Sequence, residues 1–411
     1  MSREGSHQIL FLVAFLVSGA TLASAQVATP APTPDGPEDA VSPIGFVSCP
    51  ALTGTDSTHV AIAWSEGWSP RESTLNLAVG DPEGSFSYWA SSIVGEARIE
   101  DLESDASGAM ALAWAKGRSH WVQRFDSLGH PLGDRLFLKL NGRVGFTSDL
   151  QVIAVSRSAG SVTVALLDSS GHRRVATQVP DRQPPTTLQL AKSRSGAFSV
   201  VLVSSEIVIA QFAKTGLPTS PPKLVARTRS THTYYSAAAA MDPSDNLTVA
   251  FQALSKQVGL PRGDVIVHTF DPTGNVTWAY TLTNAAPLSN LAVNSDGQLM
   301  LLFVDNKVSF GRMLQIGGAG SLSDNFGLTS PDSDLDLTGC PTAIATGPDW
   351  VTAWTGGNEH QPGAVLSRRF AGAAQRPAAS SLTTPGPGPG PAPPASVRRA
   401  TPPLSPSSAW R

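Results

Sequence analysis

The sequence predicts an all-β protein, a seven-bladed β-propeller built from four-stranded antiparallel blades. Two observations predict this fold: a short apolar strand recurs at intervals of 41 to 52 residues, and turn residues separate one strand from the next. A third observation, the placement of the only two cysteines, indicates that the repeats close into a ring. An open β-solenoid and a six- or eight-bladed propeller are the structural alternatives.

The recurring strand alternates apolar residues and ends on a large apolar side chain. Clear copies occupy residues 60–64, 110–114, 247–251, 299–303 and 350–354, and degenerate copies occupy residues 151–155 and 198–202. Their final positions are Trp64, Trp114, Val155, Leu202, Phe251, Phe303 and Trp354. A period of this length is typical of a propeller or a solenoid in which each repeat is one supersecondary unit.

Each copy lies between turns that are rich in Gly, Asn and Asp, residues that tolerate a positive φ. Turns precede the strands at residues 105–108 and 242–246, for example, and a second strand after each copy ends in another turn, as at residues 126–129. With one strand before and one after, each repeat holds the four strands of a propeller blade. The predicted blades are residues 44–97, 98–143, 144–182, 183–228, 229–285, 286–331 and 332–376.

The two ends of the chain differ from the middle. Residues 1–25 have the polar start, the apolar run and the Ala23-Ser24-Ala25 cleavage site of a secretory signal, and the apolar run is too short for a membrane anchor. Residues 26–43 and 377–411 are rich in Pro, Ala and Gly, which predicts a disordered linker and a disordered tail. The propeller is therefore predicted to span residues 44–376, in a protein that is secreted, periplasmic or on the cell surface.

The charge distribution argues against a nucleic-acid partner. Charged residues make up 15% of the chain, the net charge is −3, and the longest basic runs are pairs such as Arg398-Arg399 in the tail. A phosphate-binding surface requires clustered Lys and Arg, and so does a basic patch that binds membranes. The predicted partner is therefore a protein or a glycan, and the protein is predicted to be a monomer.

The cysteines predict closure of the ring. Cys49 precedes Trp64 by fifteen residues and Cys340 precedes Trp354 by fourteen, so both belong to the same early strand of their blades. In a closed ring the first and last blades are neighbours, whereas in a solenoid these cysteines are too far apart to bond. An exported chain with two cysteines favours a disulfide between them. The alternatives are two buried free thiols or a bond to a partner.

One stretch of the second repeat carries a resemblance. Residues 111–114 and 122–133 (ALAW and VQRFDSLGHPLG) resemble the W…QRFDxxGxPxG repeat of secreted bacterial β-propeller-like proteins. The third, fourth and fifth repeats keep fragments of it, and the first and sixth are eroded. The resemblance implies the fold and export, and it brings no catalytic residue to this chain because those proteins have varied roles.

The sequence contains no recognisable catalytic or cofactor motif. Asp332, Asp334 and Asp336 have the spacing of calcium ligands, but Ala343 stands where the loop's bidentate acid belongs, so the alternative of a strand with one solvated face is favoured. The histidines lack zinc-site spacing, and His130 and His172 each follow a turn glycine. No nucleophile elbow, phosphate loop or dinucleotide fingerprint occurs in a suitable context. We therefore predict no cofactor, metal or catalytic residue.

The candidate binding residues come from long connections between second and third strands. Trp64, Trp114 and Trp354 share one repeat position and are predicted to be core, whereas Trp68 lies in the connection of the first blade. The fifth and last blades have comparable connections, and insertions on one face of a propeller mark a binding surface. If the ring closes, the first and last connections are adjacent, which predicts a patch of Trp68, Arg71, Glu72, Asn358, Glu359 and His360.

Three functions follow as hypotheses. The first is an exported, non-catalytic scaffold that binds a protein or a surface glycan through one loop face. The second is a carbohydrate-active hydrolase or lyase that uses the carboxylates of Glu66, Glu72 and Glu359. The third is a structural component of the cell envelope, tethered through the Pro-rich tail. Asn246 and Asn275 fit the N-glycosylation pattern, which chance also explains.

Overall fold

The computed structural model consists of seven four-stranded antiparallel sheets, the blades of a β-propeller. It describes residues 33–40, 49–54, 59–69, 72–80, 86–94, 97–158, 160–180, 187–227, 232–255, 263–305, 308–316, 323, 325–328, 336–358 and 361–371. Among these residues no helix is long and apolar enough to cross a membrane. The predicted signal sequence and the predicted tail lie outside the described residues.

The strands follow one another blade by blade. Blade 1 holds β2 (Ala51–Gly54), β3 (Val60–Ser69), β4 (Glu72–Gly80) and β5 (Phe86–Val94), and blade 2 holds β6 (Arg98–Ser104), β7 (Met110–Lys116), β8 (Ser119–Phe125) and β9 (Pro131–Lys139). Blade 3 holds β10 (Gly142–Phe146), β11 (Val152–Ser158), β12 (Ser161–Leu167) and β13 (Arg173–Pro180), and blade 4 holds β14 (Thr187–Lys192), β15 (Phe198–Val203), β16 (Glu206–Phe212) and β17 (Lys223–Arg227). Blade 5 holds β18 (His232–Met241), β19 (Leu247–Ser255), β20 (Gly263–Phe270) and β21 (Val276–Ala285), and blade 6 holds β22 (Leu288–Val293), β23 (Gln298–Asp305), β24 (Val308–Gln315) and β25 (Phe326–Gly327). Blade 7 combines β26 (Asp336–Thr346), β27 (Asp349–Asn358) and β28 (Gln361–Ala371) with β1 (Thr33–Ala40) from the start of the chain.

The ring is closed. The first strand of each blade contacts the first strand of the next blade, from β2 and β6 round to β22 and β26, and β26 contacts β2. Cys49 and Cys340 form a disulfide with a Cα–Cα distance of 5.1 Å. The prediction of seven four-stranded blades is confirmed, and closure of the ring excludes the open solenoid.

Blade 7 differs from the prediction in the origin of its outer strand. The composition of residues 26–43 predicts a disordered linker, yet β1 within it pairs antiparallel with β28, with Thr33 opposite Ala371 and Ala40 opposite Leu366. The pairing shifts register between Asp35 and Asp39. A strand at a sheet edge needs backbone hydrogen bonds more than apolar side chains, and it accommodates proline, so composition alone misses it. The N-terminal segment thus completes the last blade.

The second strand of each blade forms the core. The seven repeat positions from Trp64 to Trp354 are all at most 1% exposed, and they pack between adjacent blades. Burying a large apolar side chain contributes about 1.5–3 kcal/mol, so this layer holds each blade against its neighbours. The prediction that Trp64, Trp114 and Trp354 are core residues is confirmed.

Polar contacts also join each blade to the next. Their partners are, in ring order, Thr53 with Ser104, Asp101 with the Phe146 amide, Arg143 with the Leu188 carbonyl, Gln189 with the Ala237 carbonyl, Gln252 with the Leu288 amide, and Ser289 with the Pro341 carbonyl. The disulfide occupies the remaining junction, between blades 7 and 1. Sequence-distant side chains at the inner strands therefore fix the order and spacing of the blades.

Candidate functional site

The two faces of the ring carry different connections. One face, called here the turn face, carries the tight turns that join first to second and third to fourth strands. In several of them an aspartate accepts backbone N–H groups: Asp126 Oδ1 accepts those of Leu128 and His130 at 2.9 and 2.8 Å. These bonds lower the pKa of the Asp126 carboxyl, and equivalent bonds lower the pKa values of Asp168 and Asp271. The turn face is therefore uniform and tightly hydrogen-bonded.

The opposite face, called here the hairpin face, carries the turns between second and third strands. Measured from the equivalent core positions, β3, β19 and β27 run four or five residues further, whereas β7, β11, β15 and β23 run one to three. At about 3.3 Å per residue the longer strands lift the hairpins of blades 1, 5 and 7 by up to about 13 Å above the others. The hairpin face is therefore uneven, with raised hairpins on one side and a lower region over blades 2 to 4.

The predicted binding patch falls on the raised part. Backbone pairing of Ser69 with Glu72 and of Asn358 with Gln361 shows that the connections of blades 1 and 7 are extended hairpins rather than irregular loops. Trp68, Glu72 and Asn358 lie on these strands, in adjacent blades and on the same face, but their side chains lie outside the described part of the structure, as do Arg71, Glu359 and His360 entirely. The patch stays a prediction, and Glu66 is half-buried with its backbone paired to Thr74.

A central channel of about 980 Å³ runs along the first strands, from the disulfide to the turn face. Its wall over blades 5 to 7, called here the neutral wall, is made mainly of small, apolar or uncharged polar residues, apart from Asp349 and Arg369 of blade 7. Its wall over blades 2 to 4 is charged. The neutral wall includes Ala238, Ala240, Met241, Leu291, Ala343 and Ala345. The volume lies within the range of ligand-binding cavities.

The charged wall centres on Lys192 of blade 4. Its Nζ lies 2.8 and 2.9 Å from the two carboxylate oxygens of Asp101 in blade 2, and it also contacts the Glu103 carboxylate. These three side chains are 15–17% exposed. Burial raises the pKa of Glu103, and the two carboxylates raise the pKa of Lys192 against the opposing effect of burial. The lysine is thus held protonated between two acids, a structural tie rather than an acid–base pair.

The contact between Asp101 and Lys192 is made beside Gly145 of blade 3. A Cβ atom on that residue would lie 2.5 Å from Leu190 Cδ1 and 2.9 Å from Asp101 Oδ2. Distances under about 3.0 Å are not tolerated by real side chains. Glycine at this position therefore leaves the space through which Asp101 reaches Lys192.

A second buried ion cluster lies nearer the hairpin face. The Glu100 carboxylate is 2.6 Å from His120 Nδ1 and 2.9 Å from Arg98 Nη2, and it accepts the Val144 amide at 3.1 Å. Arg143 donates to the Glu100 carbonyl at 2.8 Å, and burial lowers its pKa. The acids of both clusters are occupied by cations and amides, so each joins blades rather than presenting a reactive carboxyl.

The other candidate metal ligands are the turn histidines and the aspartates with calcium-ligand spacing. His130 Nδ1 lies 3.0 Å from Asp126 and His172 Nδ1 lies 3.8 Å from Asp168, so both belong to their turns. Within the described ranges no group of three or more His, Cys, Asp or Glu side chains could hold a metal. Asp332 and Asp334 lie outside those ranges and Asp336 begins β26, so calcium binding there is untested.

Comparison with known proteins supports the fold. No protein-family model and no curated protein matches the chain. The chain is similar to the solved structures of polysaccharide lyase Uly1 (TM-score 0.52, 10% identity, covering 86% of this chain and 94% of that one) and virginiamycin B lyase from Staphylococcus aureus (0.51, 9%, 81% and 98%). The WD40 domain of Toxoplasma gondii coronin gives a TM-score of 0.49 at 12% identity over 84% and 88%. At these low identities, the likeness to the two lyases shows a shared fold and carries no information about activity. The chain is a seven-bladed β-propeller.

Sequence reasoning missed the charged wall of the channel. Lys192 is 91 residues from Asp101, and neither residue stands in a motif. The one available signal is the placement of Asp101, Glu103 and Lys192 on predicted first strands, where propellers converge on their axis. Pairing them requires knowledge of the blade spacing that the sequence does not contain.

Proposed function

We propose that this protein is an exported, non-catalytic scaffold that binds a protein or a surface glycan through its hairpin face. The observation that carries the proposal is the uneven relief of that face, with extended hairpins on the neighbouring blades 1 and 7 and again on blade 5. Projecting connections on one face of a rigid ring are where propellers form binding surfaces. The patch around Trp68 and Asn358 is its first contact region.

Export is the finer part of this proposal. The disulfide between Cys49 and Cys340 is compatible with an oxidising compartment, and residues 1–25 have the pattern of a cleaved secretory signal. The resemblance of the second repeat to secreted bacterial propeller-like proteins supports the same location. We expect the mature chain to begin at Gln26.

The non-catalytic part rests on the occupied acids. Asp101 and Glu103 are neutralised by Lys192, and Glu100 is held by Arg98 and His120. A glycosidase or lyase needs a carboxyl that is free to exchange a proton with substrate. The channel acids Glu100, Asp101 and Glu103 instead contact cations and amides, Asp105 accepts the amides of its own turn, and Asp349 faces Arg369.

The proposal is tested by shortening the raised hairpins. Glu66 pairs with Thr74 and Gly356 with Ala364, so residues 67–73 and residues 357–363 can each be replaced by Asn-Gly, which forms a two-residue hairpin. Wild type and variant are compared on a microarray of neutral and acidic oligosaccharides. We expect binding by wild type and a loss of at least about tenfold in the variant with an unchanged circular dichroism spectrum, equivalent to 1.4 kcal/mol or more.

The control changes the turn face instead. Leu128 and Leu217 are 64% and 57% exposed in turns there, and the double variant Leu128→Ser, Leu217→Ser should bind as wild type does. Binding that is lost in this control and kept in the shortened variant would contradict the proposed face. Release of reducing ends or of unsaturated uronates from any oligosaccharide would replace the scaffold by the enzyme hypothesis.

A further inference from the structure

Basic side chains gather on the lower region of the hairpin face, over blades 2 and 3. Arg98 begins β6, Lys116 ends β7, Arg118 lies in the turn that follows, Lys139 ends β9, and Arg157 lies next to the end of β11. All five residues lie at the hairpin end of their strands. They are separated by up to 59 positions in the sequence, so no basic block marks them there.

The strand register brings these residues together. Arg98 is the cross-strand partner of Ala115, next to Lys116, and Lys139 is the partner of Ser119, next to Arg118. The Leu140 amide donates to the Arg118 carbonyl at 3.2 Å, and the Arg157 amide donates to the Asn141 carbonyl at 2.7 Å. Because the Cα atoms of register partners in antiparallel strands are about 5 Å apart, these residues lie side by side along the hairpin-face edge of blades 2 and 3, called here the track. Strand alternation places Lys116 and Lys139 on one side of the blade 2 sheet and Arg98 on the other, so the track runs along both sides of this edge.

This track carries an excess of positive charge. Arg98, Arg118 and Lys139 are exposed, and among the described residues at this end of blades 2 and 3 the one acid is Glu100, which is buried. Glu96, Asp181 and Arg182 are near in sequence but lie outside the described residues. The excess attracts anions.

An exposed aromatic side chain lies beside the track. Phe137 is 53% exposed, precedes Lys139 by two residues, and so lies on the same side of β9. Its ring centroid is 5.6 Å from that of the half-buried Trp121, so the two rings are in contact. An aromatic face next to cations suits a ligand that has both flat apolar surfaces and negative charges, as an acidic sugar has.

We propose that this track binds an anionic polysaccharide, a single flexible chain that bears carboxylate or sulfate groups. The inference rests on the proposed binding role of the hairpin face and names its ligand class. The raised hairpins of blades 1, 5 and 7 stand above the track, so a flat membrane or a rigid nucleic-acid duplex meets the hairpins first, whereas a flexible chain lies in the lower region. Arg98, Arg118 and Lys139 contact the anionic groups, and Phe137 stacks on a sugar ring.

The test uses the disulfide-bonded full-length protein with heparin, polygalacturonate and neutral dextran as probes. The variant Arg118→Gln, Lys139→Gln removes two exposed cations that belong to neither buried ion cluster. We expect saturable binding of at least one acidic polymer, none of dextran, and a rise in Kd of about fivefold or more in the variant, with a weaker dependence of Kd on salt.

Two matched controls distinguish binding at the track from attraction by the overall charge of the protein. Arg173→Gln, Arg174→Gln removes the same charge from exposed positions at the turn-face end of β13, and its Kd should stay within about twofold of wild type. Phe137→Ala should weaken binding, whereas Leu132→Ala, 49% exposed at the other end of β9, should not.

The following outcomes overturn the inference. They are equal weakening by the Arg118→Gln, Lys139→Gln variant and the Arg173→Gln, Arg174→Gln control, no acidic polysaccharide bound by wild type, or binding confined to vesicles of phosphatidylcholine and phosphatidylserine or to oligothymidylate. If wild type binds neutral oligosaccharides and the shortened hairpins abolish that binding, the ligand class is wrong and the scaffold function stands. If nothing on the microarray is bound either, the anionic polysaccharide and the glycan form of the proposed function both fail.

Discussion

Lys192 belongs to an ion group that joins three blades. It comes from blade 4 and meets Asp101 and Glu103 of blade 2, and Asp101 also accepts the Phe146 amide of blade 3. Removing one partner of a buried ion group leaves an uncompensated charge, which costs more than the ion pair itself contributes. The residue is therefore expected to matter more for stability than its exposed counterparts do.

We predict that Lys192→Met lowers the free energy of unfolding by about 3 kcal/mol at pH 7. The loss should shrink near pH 5, because without the lysine the raised pKa of Glu103 rises further and protonation removes the buried charge. Urea unfolding at both pH values measures this, with the exposed Lys214→Met as control. A loss below about 1 kcal/mol at both pH values would be inconsistent with a structural tie.

The turn aspartates predict acid sensitivity. The pKa values of Asp126, Asp168 and Asp271 are lower in the folded chain than in the unfolded chain, where an aspartate titrates near about 3.9. Their stabilising effect is therefore complete above that value and is lost as the pH falls through the folded pKa. The triple variant to Asn should flatten the decline of Tm as the pH falls below about 4, and a decline as steep as that of wild type would reject this cause.

At the scale of the strand, sequence periodicity predicts the blades well because the buried second strand repeats in every one. The same periodicity cannot give strand length at the hairpin face, where polar and apolar residues both occur. Residues 66–72 therefore read as a loop, although Ser69 and Glu72 close a continuous hairpin. The edge strand β1 was missed for a related reason, since it is identified by its partner β28 and not by its own side chains.

Removing strand β1 should lower the free energy of unfolding. A chain that begins at residue 41 lacks the five β1–β28 residue pairs, each contributing roughly 0.2–1 kcal/mol, so it should lose about 2 kcal/mol of unfolding free energy. A chain that begins at residue 33 keeps the strand and is the matched control. Equal urea midpoints for the two chains would show that blade 7 does not need its N-terminal strand.

For the whole molecule, average composition and the folded structure differ in the charge that they indicate for the surface. A net charge of −3 without a long basic run argues against a nucleic-acid partner and against a basic membrane-binding patch. Folding places Arg98, Arg118 and Lys139 at one end of neighbouring strands, so a local excess forms that no composition measure detects. Closure of the ring, in contrast, was predictable, because Cys49 and Cys340 occupy matching positions in the first and last repeats.

Closure of the ring also places the hairpins of blades 1 and 7 side by side, so the proposed binding face depends on it. The most direct test is non-reducing peptide mapping of the exported protein. We expect one linked pair of peptides that contains Cys49 and Cys340, and an N-terminus at Gln26. Two free thiols in exported protein would contradict the closed ring and, with it, the binding face proposed for this chain.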